Sequence, residues 1–120
     1  MSNIFLYDII VLVICMKVII NDKKYEVKNC KNIFAKFKGM MFLKKKTDKC
    51  YRFERCNSIH TFFCFQNLDI IMCDKSNNIL FKFKNVKPNK VILPKKKVYY
   101  TYEFSSNIIN IDEIKKIKIT

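Results

Sequence analysis

The sequence predicts a compact, mainly antiparallel β domain with one or two short helices, and three observations carry that prediction. Short runs rich in Ile, Val, Phe and Tyr recur from residue 17 to the C-terminus, several alternating apolar with polar residues, the period of a half-buried strand. The breaks between them are clusters of Asn, Asp, Ser and Lys. With one glycine and two prolines in 120 residues, the turns must use Asn, Asp and Ser, which tolerate left-handed backbone. Half of the residues are hydrophobic and 14% are aromatic, so the chain can bury a core of its own and intrinsic disorder is excluded.

Residues 4–20 form a 17-residue apolar run interrupted by Asp8 and Lys17. A membrane span needs about 20 apolar residues, and a secretory signal needs a basic start and a small residue before cleavage. Residues 1–15 are therefore read as an upstream extension of the reading frame or a short membrane-seeking leader, and residues 16–120 as the single β domain. Lys17–Ile20 and 25–28 flank Asn21-Asp22-Lys23-Lys24 and predict a hairpin with a four-residue turn. Ile33, Phe34 and Phe37 have helical spacing, and Gly39 falls where a helix C-terminus requires positive φ. Lys44-Lys45-Lys46 is a solvated loop, and 50–55 a strand. Residues 59–65 and 68–73 are two β-rich runs around the polar pair Gln66-Asn67, which predicts a central hairpin with Phe63, Phe65 and Leu68 in the core. In that register His60 lies about 13 Å along the ladder from Asp69, too far for a hydrogen-bonded dyad. Residues 79–84 alternate as a strand with one wet face, 98–104 alternate again, Ser105-Ser106-Asn107 suits the start of a short helix, and 114–119 closes the chain as a strand. No repeat, linker or low-complexity segment interrupts the chain.

Lys36-Phe37-Lys38-Gly39-Met40-Met41, Ile59-His60-Thr61 with Cys64, Leu68-Asp69 and the late Tyr102-Glu103-Phe104 occur in the order of one family pattern. The pattern runs Arg-x-x-Gly-Leu-Met, Ile-His-Thr-x-x-Met, Leu/Ile-Asp and Leu-Glu-Leu, and over about residues 16–119 the chain resembles domain of unknown function family 192. Lys36 replaces the arginine and loses bidentate carboxylate binding; Cys64 replaces a methionine, which marks a packing position. The resemblance implies a β-sandwich or distorted β-barrel and no established activity. Such a fold gathers distant segments at one end, so Lys36, Gly39, Met40, His60, Thr61, Asp69 and Glu103 are the candidate ligand-binding residues, around a cleft near the His60–Asp69 hairpin.

The net charge is +14, which fits an anionic partner. Yet 22 lysines accompany 12 asparagines and 18 isoleucines, the signature of an A/T-rich coding sequence, and only Arg52 and Arg55 could make forked phosphate or base contacts. Six cysteines at 15, 30, 50, 56, 64 and 73, with no Cys-x-x-Cys and a single histidine, supply no zinc pattern and are too sparse for a disulfide scaffold. They read as reduced thiols in a cytoplasmic protein; membrane association through the leader is the alternative. No catalytic residue, metal site or cofactor is assigned. The function read from the sequence is a non-catalytic ligand-binding or accessory module with a small-molecule or protein partner. Two other classes stand beside it: a hydrolase centred on His60 with Cys56, Cys64 or Cys73, and weak, sequence-independent nucleic-acid binding by lysine loops.

Overall fold

The computed structural model describes residues 17–120, so the leader at 1–15 lies outside the described residues. The fold is mainly β. Nine strands form one seven-stranded sheet, curled into a half-barrel, and one two-stranded ribbon. The strands are β1 (Lys17–Ile20), β2 (Lys23–Cys30), β3 (Cys50–Glu54), β4 (Ile59–His60), β5 (Leu68–Cys73), β6 (Ile79–Val86), β7 (Val91–Ile92), β8 (Tyr100–Ser105) and β9 (Ile117–Ile119). A single α-helix, α1 (Ile33–Lys38), and a 3-10 turn at Ile111–Glu113 complete the described chain. The large sheet runs β6-β5-β8-β3-β2-β1-β9, and β4 pairs only with β7. All pairs are antiparallel except β2 and β3, which the α1 crossover makes parallel.

Local chemistry explains several boundaries. Asn21 and Asp22 have φ of 49° and 65°, so the first hairpin closes with a two-residue turn of positive φ at both positions. Lys23 and Lys24 pair with Ile20 and Ile19, which corrects the four-residue turn expected from composition. Among the described residues, six of the ten non-glycine positions with positive φ are Asn or Asp, as a glycine-poor chain requires. Asn32 caps α1 by accepting the Ala35 N–H at 2.6 Å, and Gly39 ends it with φ of 45°.

The sheet buries an apolar layer on each face. On one face Val18, Ile71, Tyr102 and Phe104 pack under Ile109, Ile111, Ile114 and Ile117 of the C-terminal segment. On the other, Tyr51, Phe53, Leu68, Ile70 and Met72 pack under Met40, Ile59, Cys64 and Ile92. Strand β8 lies between β5 and β3 and is buried on both sides, which is why its burial does not alternate as its sequence does. Strand β6 is an edge and largely exposed.

The central hairpin expected at Gln66-Asn67 does not form. Strand β4 stops at His60, and the chain turns over Thr61–Cys64, where the Cys64 N–H reaches the Thr61 carbonyl at 3.3 Å. His60 pairs with Val91, and Asp69 with Phe104. Leu68 is fully buried as expected, but Phe63 and Phe65 are exposed. Ser105 and Ser106 start no helix; they bond Thr47 and Asn85 instead.

Candidate functional site

The candidate residues separate into two groups. Thr61 and Asp69 are structural. The Thr61 hydroxyl donates to the Lys87 carbonyl and accepts the Lys90 N–H, both at 2.8 Å, and so holds the 87–90 turn against the end of β4. Asp69 accepts the Asn85 N–H at 2.8 Å and the Asn107 N–H at 3.3 Å, tying β6 to the turn after β8. It shares a face with Phe104, the face opposite to that of Glu103. The grouping of Asp69 and Glu103 in one cleft near a His60–Asp69 hairpin is therefore corrected: the sheet separates them.

Gly39, Met40 and Glu103 do meet. Glu103 stands in a cross-strand row between Tyr51 and Ile70, buried, on the face covered by Met40. A Cβ on Gly39 would lie 3.1 Å from Glu103 Oε1 and 2.9 Å from Phe53 Cζ, so only glycine lets this turn close over the carboxyl. Burial alone pushes Glu103 up to about 8, so the buried side chain is protonated at neutral pH.

His60 sits above this layer, between two rings. Its centroid is 4.9 Å from that of Phe37 on α1 and 5.4 Å from that of Phe62. Nδ1 accepts the Phe62 N–H at 3.2 Å, and Nε2 is buried without a hydrogen-bond partner among the described residues. Lys36 precedes Phe37 in α1, which places it at the same end of the sheet. Among the described residues no thiol is hydrogen-bonded to His60. Burial raises all five described thiols: Cys30 and Cys64 to about 11, Cys73 to about 12, and Cys50 and Cys56 above the ordinary value. An activated nucleophile requires the opposite shift. No cluster of His, Cys, Asp or Glu among the described residues could hold a metal.

Beside His60 lies a second trio of rings that the sequence reading placed wrongly or passed over. Phe42 stacks on Phe63 at 5.9 Å and meets Phe65 at 6.0 Å. Phe42 and Phe63 have φ of 67° and 60°, and the Phe42 N–H bonds the Phe63 carbonyl at 2.9 Å. A bulky residue in the left-handed region costs about 1–3 kcal/mol, and two such residues side by side hold two rings outward. Gln66 steadies this loop pair by donating to the Leu43 and Lys45 carbonyls at 3.2 and 3.0 Å. No side chain of α1 is buried, although Ile33, Phe34 and Phe37 are half of the helix. The signal was available in Ile33-Phe34-Ala35-Lys36-Phe37-Lys38: six residues are too few to turn three large apolar side chains inward among lysines.

Two grooves lie elsewhere on the described residues. One of about 570 Å³ is lined by Lys17, Lys23, Lys24, Lys49, Glu26 and Asp48 among others, and one of about 390 Å³ by Asp74, Lys75, Lys97 and Tyr99 among others.

No protein-family model matches the chain, and no curated protein does either. Two solved structures share the fold. A protein of unknown function from Novosphingobium aromaticivorans superposes with a TM-score of 0.72 at 13% identity, over 88% of this chain and 82% of that one. A candidate transcription regulator from Sinorhizobium meliloti superposes with a TM-score of 0.73 at 13% identity, over 87% of this chain and 91% of that one.

Proposed function

We propose that this chain is a non-catalytic binding module whose contact surface is the end of the sheet where α1, the Gly39 turn and the 61–65 loop converge. The observation that carries the reading is the pair of ring clusters, Phe37–His60–Phe62 and Phe42–Phe63–Phe65, the second with two phenylalanines in left-handed backbone. Strain of that kind persists where surrounding structure enforces it, and it collects at ligand contacts. Glu103, Gly39 and Met40 form the floor beneath. Membership of domain of unknown function family 192 is part of the same proposal: Gly39 and Glu103, distant in sequence, touch, as paired motif positions do. Free, mostly buried cysteines favour a cytoplasmic setting.

The raised thiols, and a His60 ring that is hydrogen-bonded to no thiol among the described residues, speak against the hydrolase reading. Nucleic acid is the second reading with an observation in its favour, since exposed rings among lysines are what base stacking uses, and one structure of this fold is described as a candidate transcription regulator.

A binding panel of vesicles, oligonucleotides, peptides and small metabolites tests the proposal, with wild type compared to a Phe37→Ser/Phe63→Ser variant. At least one class should bind wild type and lose affinity about tenfold or more in the variant at unchanged melting temperature. Unaltered binding in the variant, or no binding to any class, overturns it.

A further inference from the structure

The same end displays its apolar side chains in an unusual way. Ile33 and Phe34 are 88% and 76% exposed, the most exposed large apolar residues among those described, and Phe63 and Phe65 are 59% and 53% exposed. Side chains this exposed project from the surface as tips. Their surroundings carry one sign of charge. The segments that build this end, 31–45, 59–65 and 87–92, contain no Asp or Glu. Lys31, Lys36 and Lys38 flank the exposed turn of α1, and Lys44 and Lys45 follow Phe42. Lys87 and Lys90 are held beside Thr61, next to the exposed Val91 that pairs with His60.

A partner that fits must be anionic at its surface and able to take apolar tips beneath that surface. A bilayer containing acidic lipids has both properties in that order, because phosphates lie above the acyl boundary. Single-stranded nucleic acid fits less well. It needs rings laid flat along a groove that tracks the backbone, and Phe42 and Phe63 stack on each other instead.

We propose that this end is a membrane-surface contact: Ile33, Phe34, Phe63 and Phe65 enter the headgroup–acyl boundary of an anionic bilayer while the flanking lysines engage lipid phosphates. The inference rests on the binding-surface reading above and names its partner. The contact proposed is with the bilayer surface; no helix among the described residues is long and apolar enough to cross a membrane.

The test is co-sedimentation of the full chain with vesicles of phosphatidylglycerol and phosphatidylcholine, and of phosphatidylcholine alone. Binding should require phosphatidylglycerol and weaken as salt rises, each surface lysine contributing about fivefold. Phe34→Ser/Phe63→Ser should reduce binding about tenfold or more, and Lys31→Glu/Lys38→Glu likewise, with melting temperatures unchanged because these side chains are exposed. Equal binding to neutral vesicles, or wild-type binding by the phenylalanine variant, overturns the proposal; the latter would place the contact in charge alone or in residues 1–15. A single-stranded oligonucleotide that binds more tightly than vesicles, and loses that affinity in the phenylalanine variant, overturns the lipid assignment while the binding-surface reading survives. Absence of any binding through this end overturns both.

Discussion

A Cβ at position 39 would stand 2.9 Å from Phe53 Cζ and 3.1 Å from Glu103 Oε1, with φ at 45°. Ring and carboxyl both sit in packed surroundings, so neither can yield freely, and Gly39→Ala should cost about 1–3 kcal/mol in urea unfolding. A loss within experimental error would show that the turn relaxes. Glu103 gives a prediction with a sign. Its folded-state value is raised to about 8, so between the ordinary carboxyl range and that value the unfolded chain has lost a proton that the folded chain keeps. Stability from this group therefore falls as pH rises through that window, by at most about 1.4 kcal/mol per pH unit, and levels off above it. Glu103→Gln, uncharged throughout, should flatten the dependence between about pH 5 and 8 and be the more stable form at the upper end. Parallel curves for the two proteins would refute the shift. At this scale the sequence was informative where a residue has one physical use. Gly39 was readable as a helix stop because no other residue takes that backbone, and Asp69 because an in-strand carboxylate needs donors, which Asn85 and Asn107 supply. The placement of Glu103 was not readable, since facing Tyr51 and Ile70 depends on strands far away in the chain.

Among the elements, the 59–65 segment separates local preference from tertiary context. Its β-rich composition predicts a strand. The Thr61 hydroxyl is instead committed to the 87–90 turn, and Phe63 takes positive φ, so strand geometry ends at His60. Propensity is overridden by partners that lie near residue 90 and leave no local trace. Phenylalanine truncations should report the difference. Phe53→Ala, at a fully buried position, should cost about 3–5 kcal/mol, whereas Phe63→Ala should cost less than about 1 kcal/mol and relieve left-handed strain in part. Comparable losses at both positions would return Phe63 to the core. Strands β1, β3 and β9 and helix α1 lie close to where their patterns put them, because each is bounded by turn chemistry within a few residues. The parallel pairing of β2 with β3 was not legible, because a crossover direction is set by docking and not by composition.

For the molecule as a whole, the alternating apolar runs and the turn-forming breaks between them predicted a β-dominated chain, and far-UV circular dichroism should show well under a third helix. The five described thiols, all raised by burial, should label slowly with a neutral alkylating agent in the native protein and rapidly in denaturant. One fast native thiol would reopen the nucleophile question. The excess of lysine was visible from the start, but its concentration around exposed rings was not, since that depends on three separate acid-free segments meeting at one end. Strand β8 has a consequence for the order in which the chain can mature. Among the described residues it is the only strand between β6-β5 and β3-β2-β1, and it comes after all five of them in the chain. While the polypeptide is being synthesised, two half-sheets emerge with facing edges unpaired, and nothing joins them until residue 105 has left the ribosome. A nascent chain halted before residue 100 should therefore be open to proteolysis and in need of chaperones, and one halted well beyond it should resist both.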